Sequence, residues 1–174
     1  MTTMKKIIAS IFAFAAVLSL NAASITGEGK AVLSQALSIE KPATASGANF
    51  KPGELNFGNI AIGTEATKFT IDAATGAMIQ DRESGSGGAK ATTSVTPTAA
   101  EFLVKGTSGL TFTVSPLVAT DVTPQGTSLT LTSSYDPNLD SGGNLVKVGG
   151  ELTVPSTANP GSVAYTFDVV VNYN

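Results

Sequence analysis

The stretch DPNLDSGGN sets Asp136, Asn138 and Asp140 at alternate positions, with Asn144 four residues further on. Oxygen-bearing side chains at that spacing suit a hard cation such as calcium, because a turning loop brings each one inward. The helix–loop–helix calcium motif wants glycine at its sixth position and glutamate at its twelfth. Those positions here hold Ser141 and Lys147. A polar hairpin loop, whose Asp and Asn side chains bond their own backbone, fits the same residues and is the preferred reading. Asp136, Asn138 and Asp140 are the weak calcium candidates, and no cofactor is expected.

Other spacings that suggest chemistry lack what the chemistry needs. Asp81 and Glu83 stand one residue apart, as a carboxylate pair for acid–base work would, but in a Gly/Ser-rich loop nothing fixes their separation and Arg82 lies between them. The glycines of GSGG, Gly85 to Gly88, are not followed by the Lys-Ser/Thr ending of a phosphate loop. Serines abound without a G-x-S-x-G elbow, and no basic partner is positioned to activate one.

The chain has no His, no Cys and no Trp. Ser-His-Asp and Cys-His catalysis, imidazole or thiolate metal sites and every disulfide framework are thereby excluded. Ten basic residues face 13 acidic ones, for a net charge of −3. The first 24 residues carry Lys5 and Lys6 and no acid, so the remainder holds 8 against 13, or −5. No basic cluster is present to replace phosphate counterions, which argues against nucleic acid as a partner. The reading is of a protein that is not an enzyme.

The elements that would position these residues begin after an export signal. In MTTMKKIIASIFAFAAVLSLNAAS, Lys5 and Lys6 precede an apolar run from Ile7 to Leu20, and small residues follow at Ala22, Ala23 and Ser24. That layout is a secretory signal peptide, expected as a cleaved helix over residues 1–24 with a mature N-terminus between Ala23 and Ile25. The apolar run of about 14 residues is short of the roughly 20 that span a bilayer. No later stretch approaches that length, so the mature chain is expected to have no membrane span and to be exported to the periplasm, cell surface or medium.

Residues 25–174 are expected to form one domain. Ser and Thr supply 40 of the 174 residues, and Thr, Val, Ile and Phe dominate the ordered-looking runs. Such residues fit a pleated, half-buried surface better than a helix. Strands are expected over residues 31–39, 55–62, 68–71, 102–105, 110–114, 128–135, 145–148, 151–154 and 164–173. Gly58 suggests a bulge or close backbone approach. Thr98 to Glu101 offers a single helical turn opened by Pro97, and Asp81 to Ala91 reads as a polar loop. Eight or nine short strands with turn residues between them predict an all-β fold, an antiparallel Greek-key (Ig-like) β-sandwich.

The last strand is the most informative. Phe167, Val169, Val171 and Tyr173 alternate with Thr166, Asp168, Val170 and Asn172. Period two places the first set on one buried face. It predicts a final core strand, and more sharply an edge beside which an assembly partner pairs.

LNFG at Leu55–Gly58, GLTFTV at Gly109–Val114, VGGELTVP at Val148–Pro155 and YTFDVVVNY at Tyr165–Tyr173 resemble a bacterial secreted family called domain of unknown function 4402. The resemblance runs from about Leu33 to Tyr173. It implies no catalytic residues. The family is similar to chaperone–usher pilin and spore-coat-U-like subunits, which are incomplete sandwiches completed by a donated N-terminal strand and often end on a penultimate aromatic. The resemblance therefore implies an assembly role for Phe167, Val169, Val171 and Tyr173, with self-assembly and a periplasmic chaperone as partners. Leu33, Leu37 and Ile39 would be anchors if the N-terminal segment is donated, although Leu37 and Ile39 are preferred in the chain's own sandwich. The function expected is a non-enzymatic exported structural subunit, pilus- or fimbria-like. The alternative is a monomeric secreted β-sandwich that binds a ligand such as a glycan through its end loops.

Overall fold

The computed structural model describes residues 23–25, 31–33, 35–82, 87–92, 94–123 and 125–174. The expected signal helix, through residue 22, lies outside the described residues. The chain divides after Ala36 into two compact units. In the first, β1 (Ala23–Ile25) and β2 (Ala31–Leu33) pair antiparallel, Ala23 opposite Leu33.

The second unit is all-β, and its spine is an eleven-residue strand, β13 (Asn144–Val154). Val146, Val148, Leu152 and Val154 are buried on one face, while Lys147, Glu151 and Thr153 alternate on the other. One edge of β13 pairs with β12 (Ser128–Ser134). The other edge pairs first with β9 (Ala99–Lys105) and then with β6 (Thr67–Ile71), all antiparallel. Beyond β6 lies β7 (Met78–Arg82). Beyond β9 lie β3 (Ser38–Glu40), antiparallel, and β4 (Phe50–Pro52), parallel.

A two-stranded antiparallel ribbon packs on the inner face of this sheet. β10 (Phe112–Val114) and β11 (Ala119–Thr123) run one way, and β14 (Ala164–Phe167) and β15 (Val171–Tyr173) return, Phe112 opposite Tyr173 and Ala119 opposite Phe167. Between these pairings the Ser115 N–H donates to the Val170 carbonyl at 2.9 Å, which holds the register. Val104, Phe112, Leu139, Val146 and Val148 form the centre of the larger core cluster, with Leu37, Ile39, Phe102, Phe167, Val169, Val171 and Tyr173 packed around it. A smaller cluster, Phe69, Ala89, Leu152 and Val154, fills the other half of β13. Two sheets facing one another across an apolar core make the antiparallel sandwich that the turn spacing predicted, and the strand order is consistent with a Greek key.

Several local expectations are corrected. The two strands expected at 145–148 and 151–154 are one, because Gly149 and Gly150 do not break it. At Gly149 the backbone of Ile71 and Ala73 occupies the place of a side chain, so the glycine permits strand contact. The helical turn expected at Thr98 is the approach to β9, because pairing with Asn49, β4 and β13 overrides the start signal of Pro97. The single strand expected over 31–39 is interrupted, with residues 35–37 outside β2 and β3. The terminal strand is likewise divided at 168–170. β4, β7 and β11 were not anticipated. Their sequences (FKP, MIQDR, ATDVT) carry too little apolar alternation to announce a strand, and tertiary pairing makes them one.

Candidate functional site

The site with most shape lies over the smaller core cluster. The LNFG segment leads into β5 (Ile60–Ala61), which pairs antiparallel with β8 (Lys90–Ala91), a strand inside the region read as loop. Asn56 is locked to Thr98 by backbone hydrogen bonds in both directions, 2.9 and 2.8 Å. The Asn56 side-chain oxygen accepts the Gly58 N–H at 2.7 Å. Gly58 has φ +73, and a Cβ there would come 2.8 Å from the Val95 carbonyl oxygen. Only glycine fits both the left-handed backbone and the close approach.

Across from this segment stand residues 158–163 and β14. Between the two walls runs a groove of about 800 Å³. Phe57 and Ile60 line one side, Tyr165 and Phe167 the other, and Leu129 with the buried Leu152 and Val154 forms the floor. Each wall carries a strand paired along one edge alone among the described residues, β5 with β8 and β14 with β11. The groove thus has an apolar floor between walls that mix apolar side chains with polar ones such as Asn56, Asn59 and Asn159, and each wall carries backbone with unused pairing capacity. An extended polypeptide, laying alternate side chains onto the floor, is the ligand shape such a site takes.

The wall residues are held firmly. Tyr165 and Thr127 share a hydroxyl hydrogen bond at 2.7 Å. Burial pushes the Tyr165 phenol above its ordinary value, against the Thr127 hydrogen bond and with help from the Asp121 charge. Phe167 meets Phe102 edge to face, ring centres 6.1 Å apart at 83°.

The terminal alternation places Phe167, Val169, Val171 and Tyr173 half-buried against the core, and Asp168 and Asn172 exposed. Of the four, Phe167 reaches the groove. Tyr173 is occupied elsewhere: its oxygen accepts the Thr107 N–H at 2.8 Å.

Asp136, Asn138 and Asp140 are turned to their own loop. Asp136 Oδ1 accepts the Asn138 backbone N–H at 2.9 Å and the Asn138 amide at 2.8 Å. Asn144 Oδ1 accepts the Asp140 N–H at 2.8 Å. These oxygens cap a hairpin, as the polar-loop reading has it, and the Asn138 bonds hold the Asp136 carboxyl below its usual range. Among the described residues no three His, Cys, Asp or Glu side chains converge. Asp81 lies opposite Lys68 on paired strands, while Glu83, Gly85 and Ser86 lie outside the described residues. Gly87 and Gly88 serve the sheet instead, the Gly87 carbonyl accepting the Thr64 N–H at 2.6 Å and Gly88 bridging Glu65. Nor is any helix among the described residues long and apolar enough to cross a membrane.

Sequence reasoning found the LNFG wall and the terminal strand but missed the segment from Ala158 to Val163. Its signal was present in Pro155, Pro160 and Gly161, which mark a turn but not which surface the turn faces.

The fold and site define an all-β, antiparallel sandwich protein with an open, strand-bordered groove. The chain belongs to the family described as Domain of unknown function (DUF4402), which matches residues 48–173. No curated protein and no solved structure matches it.

Proposed function

We propose that the protein is a non-enzymatic structural subunit, exported and assembled at the cell surface as a pilus- or fimbria-like polymer. The observation that carries this reading is the groove between β5 and β14, with its apolar floor and its two strands each paired on one edge. The terminal strand takes part through Phe167 in the groove wall, while Val169, Val171 and Tyr173 brace that wall from the core.

The occupant is the N-terminal segment of a second copy. Ile25, Gly27, Gly29, Ala31 and Leu33 are apolar or small at every second position, and of the residues between them Thr26, Glu28 and Lys30 are polar, Val32 alone being apolar. That is the pattern of a strand with one face on a floor and one in solvent. Leu37 and Ile39 do not belong to it, since both pack in the chain's own core. The β1–β2 pairing that this segment makes joins two three-residue strands, and a two-stranded hairpin of that size is marginal in water. Leaving that pairing therefore costs the segment little.

A synthetic peptide of residues 23–33 tests the reading. Peptide at about 100 times its dissociation constant adds roughly 2.7 kcal/mol to folding stability, so Tm should climb by several degrees and go on rising with the logarithm of peptide concentration. A peptide with Leu33→Asp and Ala31→Asp should have no effect. Equal shifts from both peptides, or none from either, contradict the proposal. A Tm shift given instead by a soluble oligosaccharide, with the protein monomeric throughout, would favour a ligand-binding module.

A further inference from the structure

The chain between β3 and β4 leaves one strand edge and returns to it. β3 lies antiparallel against residues 103–105 of β9, and β4 lies parallel against residues 99–101. Residues 41–49 are the excursion between them. Ser46, within that excursion, is tied down by a side chain from the sheet. Its backbone N–H donates to Glu101 Oε2 at 2.8 Å and its hydroxyl donates to Oε1. Glu101 is fully buried, in the middle of β9. Hydrogen bonds to a carboxylate away from water are among the strong ones. The return is fastened as well: the Ala99 N–H donates to the Asn49 carbonyl at 2.9 Å, the Gly53 N–H to the Glu101 carbonyl at 2.9 Å, and the Lys147 ammonium sits 4.1 Å from the Phe50 ring centre.

β3 is held more lightly. It has three residues, of which Ser38 and Glu40 are exposed. Its ion pair, Glu40 with Lys105 at 2.5 Å, joins side chains that are each about half exposed, and such pairs contribute little. Leu37 and Ile39 add half-buried apolar contact. Two fastenings of unequal strength thus follow one another along the chain.

We infer that residues 37–53 form a two-stage mechanical clasp. A pull from the N-terminal side peels β3 off β9 and is then arrested where Ser46 is bound by Glu101, before the core opens. The source of such a pull rests on the assembly proposed above, whereas the clasp does not. In a polymer the arrest would let each subunit lengthen slightly and keep its groove.

The chain has no cysteine, so Ala36→Cys and Asn174→Cys give two unique handles for pulling single molecules of the full chain in an optical trap. No assembly enters the measurement, so its outcome is separate from that of the peptide test. Freeing the chain from Leu37 to Ser46 gives a first lengthening of roughly 20–30 Å at about 3.3–3.6 Å per residue, followed by a distinct unfolding event. In Glu101→Leu, which removes both acceptor oxygens, and Ser46→Pro, which removes both donors, the arrest moves to Phe50, so the first step grows by roughly 13 Å. Ser46→Pro leaves Glu101 in place and alters no strand of the sheet, which keeps the test sound if Glu101→Leu folds poorly. Unfolding of the parent in one step, or a first step of the same length in both variants, would overturn the inference.

Discussion

The phenol oxygen of Tyr173 accepts the backbone N–H of Thr107 at 2.8 Å, joining the end of the last strand to the turn after β9. Gly106, just before that turn, has no side chain to push the ring away. Tyr173 thus has a packing role within one subunit. Tyr173→Phe leaves a partly buried N–H without this acceptor and should lower stability by about 1–2 kcal/mol. Urea denaturation with an unchanged slope checks it, and an unchanged midpoint would assign the hydrogen bond no stabilising value.

Phe167 is braced by Phe102 and faces the groove. Removing a large core aromatic costs about 3–5 kcal/mol, and the lower end applies because Phe167 is half-buried. Phe167→Leu, which keeps the wall apolar, should cost about 1–2 kcal/mol and weaken peptide binding. If Phe167→Leu and Val169→Ala lose binding equally at equal stability, Phe167 is not a groove contact.

At Gly149 a methyl group would strike the backbone of Ile71 and Ala73, whereas at Gly142 it would meet nothing within 4 Å. Neither has a positive φ. Gly149→Ala should destabilise by about 3 kcal/mol or more by forcing β6 from β13, and Gly142→Ala should lie within about 0.5 kcal/mol of the parent. Thermal melts of both decide it, and equal melting temperatures would refute the close-contact account.

This pair also marks how far the sequence could be read. Strand character was legible in β-branched alternation, as in Val146 and Val148 or Val169 and Val171. Gly149–Gly150 looked like a break because glycine reports conformational freedom, and the neighbouring backbone that demands it is brought there only by the fold. The terminal face was legible because period two needs no partner to be recognised. The groove was not, since its walls lie about 100 residues apart in sequence and its shape depends on where Ala158 to Val163 turn.

Asp72 and Asp136 both hold carboxyls below the ordinary range. For Asp72 the cause is first the Thr75 hydroxyl and then the Thr75 N–H; for Asp136 it is first the Asn138 N–H and then its amide. A lowered folded value means that the stabilisation is present above the ordinary carboxylate value, near 3.9, and is lost as pH falls through the folded one. The Asp72→Asn and Asp136→Asn variants should therefore lose stability relative to the parent at pH 7 and approach it at pH 2. Urea midpoints at the two pH values test this, and a constant difference would contradict the titration. Added calcium should leave the difference at pH 7 unchanged; a calcium-dependent gain that Asp136→Asn abolishes would restore the cation reading of that loop.

In the assembly proposed above, one copy's N-terminal segment lies in the groove of the next. With no native cysteine, Glu28→Cys and Ser162→Cys put single thiols on the polar side of that segment and on the groove rim. Cells carrying both substitutions are treated with a short bis-maleimide and their surface protein is run on a denaturing gel. A ladder of covalent multimers is expected, which either single substitution reduces to monomer and occasional dimer. Monomer alone from the doubly substituted protein, with its surface yield intact, would contradict it.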